Sequence, residues 1–256
     1  MELIICLGWL LIVLGAVVSV ASVLTSQNGP LLQKAGWMIG IGGITAVLVA
    51  GLGVLSGGTI DIQSGWFLPV GGFILHAGSS EGLMLVLLNL VGVLVFIAQP
   101  WNQEPLETAA FLILVTALGV CLVARDILLF LMAWEIMALT GVVFLRGRGL
   151  REDRNEGESL WAYLVSAHLA TLSLLVLLPL LYILGGNHFE LGKPLIWKKP
   201  FEVPVESRWI WSCVALTIAG FGTKAGLAPF HSWVKRVYRY GPAWFGAISS
   251  GLMAKV

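Results

Sequence analysis

Long apolar runs alternate with short polar punctuation along this chain, and the runs have the length of a bilayer crossing. A membrane-spanning helix needs about 20 mostly apolar residues. That rule predicts helices over about 3–24, 35–55, 81–98, 106–124, 127–145, 160–184 and 209–229, with an eighth starting near 242. Turn residues separate them. Thr25-Ser-Gln-Asn-Gly-Pro30 follows the first run, Gln99-Pro-Trp-Asn-Gln-Glu-Pro105 the third, and Arg125-Asp126 makes a minimal turn before the fifth. Gly57-Gly58, Pro69 and Gly71-Gly72 punctuate 56–80, which reads as a loop with short strands or a partly inserted turn. The second run is rich in glycine, which suits close helix contact. The first has no basic residue before it and is long enough to span, so it reads as a transmembrane helix rather than a cleaved signal peptide. The expected fold class is an all-α polytopic membrane protein of about 7–8 transmembrane helices. It forms one transmembrane domain, with three helices in 1–105 and the remainder in 106–256.

Composition agrees. Hydrophobic residues make up 58% of the chain and charged residues 11%, against about a quarter charged in a soluble domain. Lipid is therefore the expected solvent. A net charge of +1 argues against a nucleic-acid partner, since neutralising phosphates takes Lys and Arg in clustered excess. Cys6, Cys121 and Cys213 are scattered through apolar runs and read as buried small hydrophobes. No Cys or His cluster has metal spacing, and no nucleotide-binding glycine pattern follows a strand, so no cofactor and no metal are expected. With alternating spans, one side of the membrane receives eight Lys and Arg: Lys34, four arginines of 146–154 and three basic residues of 235–239. The other receives five. The richer side is the better cytoplasmic side, which places the amino terminus outside. The polar stretch 146–159 reads as a solvated connection or a partner-binding surface.

Three charged residues remain well inside the expected spans: Glu135, Lys224 and Lys255. Ionisable groups at such depth are costly and are functional by default. Glu135 lies nine residues past Asp126, ~13 Å along a helix axis and close to mid-bilayer. Lys224 sits among Gly220, Gly222, Gly226 and Pro229, residues that loosen or break a helix and free backbone carbonyls. Such a break survives in a bilayer only where protein or water satisfies those groups. If Glu135 meets Lys224, each favours the charged form of the other, and a proton delivered to one changes both. That is the physical basis of a relay. A static ion pair holding the fifth and seventh helices in register is the alternative, and for Lys224 alone, snorkelling toward the interface. His168 is either a packing group or a proton carrier. His231 either lines the entrance of the path or is an interfacial histidine. Lys255 is either a further relay group or part of a frayed end.

These residues carry a resemblance. Ala124-Arg-Asp126 leading into Ala133-Trp-Glu-Ile-Met137 resembles the glutamate-bearing helix of the proton-antiporter-like membrane subunits. Those subunits occur in respiratory complex I, multisubunit sodium/proton antiporters and energy-converting hydrogenases. Gly220-Phe-Gly-Thr-Lys-Ala-Gly-Leu-Ala-Pro-Phe-His-Ser-Trp233 resembles that family's broken helix with its central lysine. Ile248-Ser-Ser-Gly-Leu-Met-Ala-Lys255 resembles the start of its next helix. Tyr163 and His168 look more like the formate hydrogenlyase and related hydrogenase branch. The matches run from about 106 to the end.

The resemblance implies the first half of a fold of about fourteen helices, with Glu135 and Lys224 as coupling pair and Lys255 as relay lysine. It implies a subunit that moves protons or sodium ions, with redox chemistry in partner membrane subunits. Another chain would supply the remaining helices. A split, truncated or non-pumping structural subunit is the other reading. After Trp233 the sequence reads Val-Lys-Arg-Val-Tyr-Arg-Tyr-Gly-Pro242, where the family usually has leucine-proline, then an acid and a histidine.

Overall fold

A computed structural model describes residues 1–25, 29–64, 72–98, 104–149, 154–186, 195–196, 209–231, 233–235, 238 and 243–249. Among the described residues, six helices are long and apolar enough to cross a membrane, and a shorter apolar one follows. They are α1 (Glu2–Leu24), α2 (Gly29–Leu55), α3 (Ser79–Ala98), α4 (Pro105–Val123), α5 (Ile127–Gly149) and α6 (Arg154–Leu184). Two strands, β1 (Ile60–Ser64) and β2 (Phe73–Ala77), lie between α2 and α3. The shorter helix has three parts: α7 (Ile210–Thr217), a π-helical turn (Ile218–Gly222) and α8 (Thr223–Ala225). A further short helix, α9, spans Ala243–Ile248. The chain is an integral multi-pass membrane protein.

Helix α4 is the centre of the bundle: 72% of its apolar window is buried, against 28–50% for the other spans. Around it, Trp37, Phe96 and Phe111 stack with ring centroids 5.3 and 5.2 Å apart, joining α2, α3 and α4. The outer faces stay apolar and exposed, as at Leu3, Leu10, Val17 and Leu94. A helix apolar all round, buried on one side only, is solvated by lipid on the other. Cys6 belongs to that outer face. The sequence reading of all three cysteines as buried holds for Cys121 and Cys213 but not for Cys6, because α1 turns that side away from α2.

Helices α1 and α2 pack through glycine. A Cβ at Gly15 would stand 2.8 Å from the Gly36 carbonyl oxygen and from Gly40 N. Only a hydrogen lets the two backbones approach that closely.

The polar face next to the amino terminus is built on a hairpin and one carboxylate. In the antiparallel β1–β2 pair, Asp61 lies opposite His76, and their side chains meet at 2.6 Å. The interval read as a loop or short strands is thus a pair of strands at both described ends. Asp126 is 1% exposed. Its Oδ1 accepts hydrogen bonds from Leu128 N (2.9 Å) and Leu129 N (3.1 Å), capping α5. Its Oδ2 accepts from Gly72 N (2.9 Å) and Leu195 N (2.7 Å). The preceding Arg125 donates from its backbone N to Ile74 O and from its guanidinium to Glu81 Oε1, 3.0 Å away. What reads as a two-residue turn therefore joins the hairpin, α3, α4, α5 and the segment at 195. Elsewhere the elements overrun their expected limits: α2 begins at Gly29 and takes in Lys34, and α6 begins at Arg154, inside the polar stretch. All of 146–159, and Lys255, lie outside the residues whose side chains are described.

Candidate functional site

Two helices present the site and a third holds it. On α5, Trp134 is fully buried and Glu135 half-buried. On α8, Lys224 is 7% exposed. Facing both, α6 contributes Tyr163 and His168. Tyr163 donates its hydroxyl to Ala138 O at 2.8 Å, which pins α6 to α5.

The approach to Lys224 is irregular backbone. After Thr217 the hydrogen bonding widens into a π turn, and α8 ends at Gly226 with φ +71°, in the left-handed region. Leu227 N donates to Gly222 O at 2.9 Å, which closes the end. The break read from Gly220, Gly222, Gly226 and Pro229 is thus a wide turn followed by a glycine stop. Gly220 and Gly222 lie in the π turn, Gly226 is the stop, and Pro229 follows a cis bond from Ala228. At Gly220 a Cβ would come 2.7 Å from Leu174 Cδ2 of α6, so this glycine sets how closely the turn packs there.

Trp134 lies under the ammonium. Lys224 Nζ stands 5.4 Å from the Trp134 ring centroid, within the range of a cation–π contact. Phe130 and Phe221 pack against the same indole, 5.5 and 5.7 Å between centroids, the latter edge-on. Glu135 and Lys224 are near enough to interact electrostatically. No direct ion pair joins them among the described residues.

The carboxylate turns to His168 instead. Glu135 Oε1 lies 3.3 Å from His168 Nε2. His168 Nδ1 lies 2.9 Å from Leu164 O. A carbonyl only accepts, so Nδ1 carries the proton of that bond. A neutral His168 then turns a lone pair on Nε2 toward a carboxylate oxygen. The contact is favourable when one further proton sits on the pair, on either Nε2 or the carboxyl. The other oxygen, Glu135 Oε2, is buried and has no hydrogen-bond partner among the described residues.

Two cavities lie along α5 and α8, of which the smaller borders the lysine. One of about 270 Å³ runs from Arg125 and Asp126 at the hairpin face past Phe130 to Cys121 and Phe221. The other, about 10 Å³, touches Lys224 and Thr223 on one side and Tyr163, Ser166 and Trp233 on the other.

Of the residues singled out in the sequence, the structure gathers Glu135, His168 and Lys224 around α5 and α6. His231 is exposed in the turn beyond the break; no hydrogen bond or ion pair joins it to those three among the described residues. Trp134 and Thr223 were given no role from the sequence, and Tyr163 was noted only for its resemblance to the hydrogenase branch, since an aromatic or a threonine in an apolar run carries no charge signal. No group of three or more His, Cys, Asp or Glu able to hold a metal occurs among the described residues.

Residues 124–256 match the family described as NADH:quinone oxidoreductase/Mrp antiporter, TM. The chain belongs to this family. An uncharacterised protein of Mycobacterium tuberculosis is 27% identical over 222 residues, covering 83% of this chain and 33% of that protein. Formate hydrogenlyase subunit 3 of Escherichia coli is 28% identical over 233 residues, covering 88% and 35%. The chain thus spans about a third of the length of these relatives. Among solved structures, a chain of the Mrp complex from Dietzia sp. superposes with a TM-score of 0.74 at 18% identity, covering all of this chain and 47% of that one. A chain of respiratory complex I from Thermus thermophilus gives 0.66 at 21% identity, covering 96% and 50%. These likenesses show the fold: an antiporter-like helical bundle corresponding to about half of such a chain.

Proposed function

We propose that this antiporter-like membrane subunit moves protons, or sodium ions, within a redox-driven complex of the membrane-bound hydrogenase or complex I type. The observation that carries the reading is the 3.3 Å contact between Glu135 and His168 beside a buried, aromatic-seated Lys224. A proton on the Glu135–His168 pair cancels the negative charge facing Lys224. Removing that proton restores it. Occupancy at one site thereby biases occupancy at the other, as coupled titration requires.

Lys255 would be the next relay group, a role the resemblance implies, and His231, at the end of the broken helix, would lie toward an entrance. Partner membrane subunits would supply the redox chemistry, and one of them the remaining antiporter helices. The loop charges favour an outward amino terminus.

The second reading is a non-pumping structural or assembly subunit. The lack of a direct Glu135–Lys224 ion pair among the described residues favours it, since a static scaffold needs no coupling between them. Lys224→Ala separates the two in membranes carrying the assembled complex. Under the translocation reading, complex yield holds and proton movement per electron collapses. Under the structural one, yield falls and coupling per complex stays unchanged.

A further inference from the structure

The small cavity beside Lys224 points to a bound ligand of its own. Thr223 is 2% exposed, and its Oγ1 is buried without a hydrogen-bond partner among the described residues. A hydroxyl left unpaired in a dry interior is costly. The neighbouring ammonium has three donors and no acceptor capacity. The indole face of Trp134 takes the charge on one side of Nζ but offers no lone pair. Thr223, Lys224, Ser166 and Tyr163 all border the same space of about 10 Å³. That is about the room one water molecule needs, and too little for a hydrated ion or an organic ligand. The tyrosine hydroxyl spends its proton on Ala138 O and keeps its lone pairs. Trp233 donates its N–H to Thr223 O at 2.7 Å, which ties this lining residue to Thr223.

We propose that this cavity is a single-water site, in which the Thr223 hydroxyl holds a water molecule against the Lys224 ammonium. The water accepts from Nζ and donates to Thr223 Oγ1 and to either Ser166 or Tyr163, so the ammonium and the unpaired threonine hydroxyl both gain a partner. Thr223 is then a positioning residue: it touches the water and sets where the lysine's proton points. The site is distinct from the Glu135–His168 contact, since neither of those residues lines the cavity. Its role in transport rests on the translocation reading; its occupancy does not.

The test uses hydroxyl-radical labelling by a short X-ray pulse on the intact complex in lipid nanodiscs, read by mass spectrometry. Radicals form from ordered water, and both Tyr163 and Trp233 are reactive aromatics that border the cavity while being buried, 3% and 5% exposed. Thr223→Val keeps the side chain's shape without the hydroxyl; Thr223→Ser keeps the hydroxyl. The expected result is labelling of Tyr163 and Trp233 in wild type and Thr223→Ser, and a several-fold drop in Thr223→Val, with the exposed Trp211 labelled alike in all three. Proton transport should follow the same order, falling about five-fold in Thr223→Val, the effect of one lost hydrogen bond. A wild type that leaves Tyr163 and Trp233 unlabelled, or a Thr223→Val protein that labels like wild type, overturns the proposal. If labelling behaves as expected while no variant alters transport, the water site stands and the translocation reading fails.

Discussion

The ammonium of Lys224 is seated on Trp134, 5.4 Å from the ring centroid, and Trp134 immediately precedes Glu135 in the chain. The contact between α5 and α8 is thus made by an aromatic face, while the carboxylate next to it faces α6. A desolvated cation–π contact contributes about 2 kcal/mol, enough to hold a charge without a static ion pair. Trp134→Phe keeps a ring under the ammonium and should retain much of the wild-type transport rate. Trp134→Leu removes it and should cost about ten-fold or more. Rates are to be compared per assembled complex in membrane vesicles. Equal rates in the two variants would show that the ring acts by filling space alone.

His168 offers a second prediction. His168→Gln can still donate to Glu135, but it cannot take up a proton. If the pair holds a proton in transit, this variant should lose most coupled transport while assembling at wild-type yield. Retained transport would reduce the contact to packing.

Asp126 predicts stability rather than transport. Its two oxygens satisfy four backbone N–H groups from Gly72, Leu128, Leu129 and Leu195. Asp126→Ala strands them, and each buried unsatisfied group costs about 1–3 kcal/mol. The variant should accumulate poorly and melt well below wild type in detergent. Asp126→Asn keeps one acceptor oxygen and should fall between.

The glycines of α2 are not equivalent. A Cβ on Gly36 would collide with the Gly15 carbonyl oxygen at 2.8 Å, whereas one on Gly42 meets nothing within 4 Å. Gly36→Ala should destabilise by about 1–3 kcal/mol as the helices are forced apart. Gly42→Ala should be neutral or stabilising by up to about 1 kcal/mol, because alanine is the better helix former. Thermal unfolding of the two variants side by side checks the pair.

Glu135 and Lys224 were legible in the sequence because charge in a long apolar run has no bland explanation, and the glycines around Lys224 announced irregular backbone. Asp126 was hidden by its place. Beside an arginine between two apolar runs it looks like a turn residue, and nothing local shows that Gly72 and Leu195 come to meet it. Trp134 was hidden by its chemistry, since an indole next to a glutamate reads as one more apolar side chain until the lysine arrives from ninety residues downstream. The pairing itself was only half foreseen. Pattern places the carboxylate and ammonium on neighbouring spans, but rotamers decide that one meets a histidine and the other a ring.

Proton movement per electron in membranes carrying Glu135→Gln, at matched electron-transfer rate, probes the core of this account most directly. The substitution keeps the size of the side chain and removes its capacity to exchange a proton. The account predicts that electron transfer continues when the membrane is made leaky to protons, while coupled proton movement is abolished. Coupling at the wild-type ratio in that variant would contradict it.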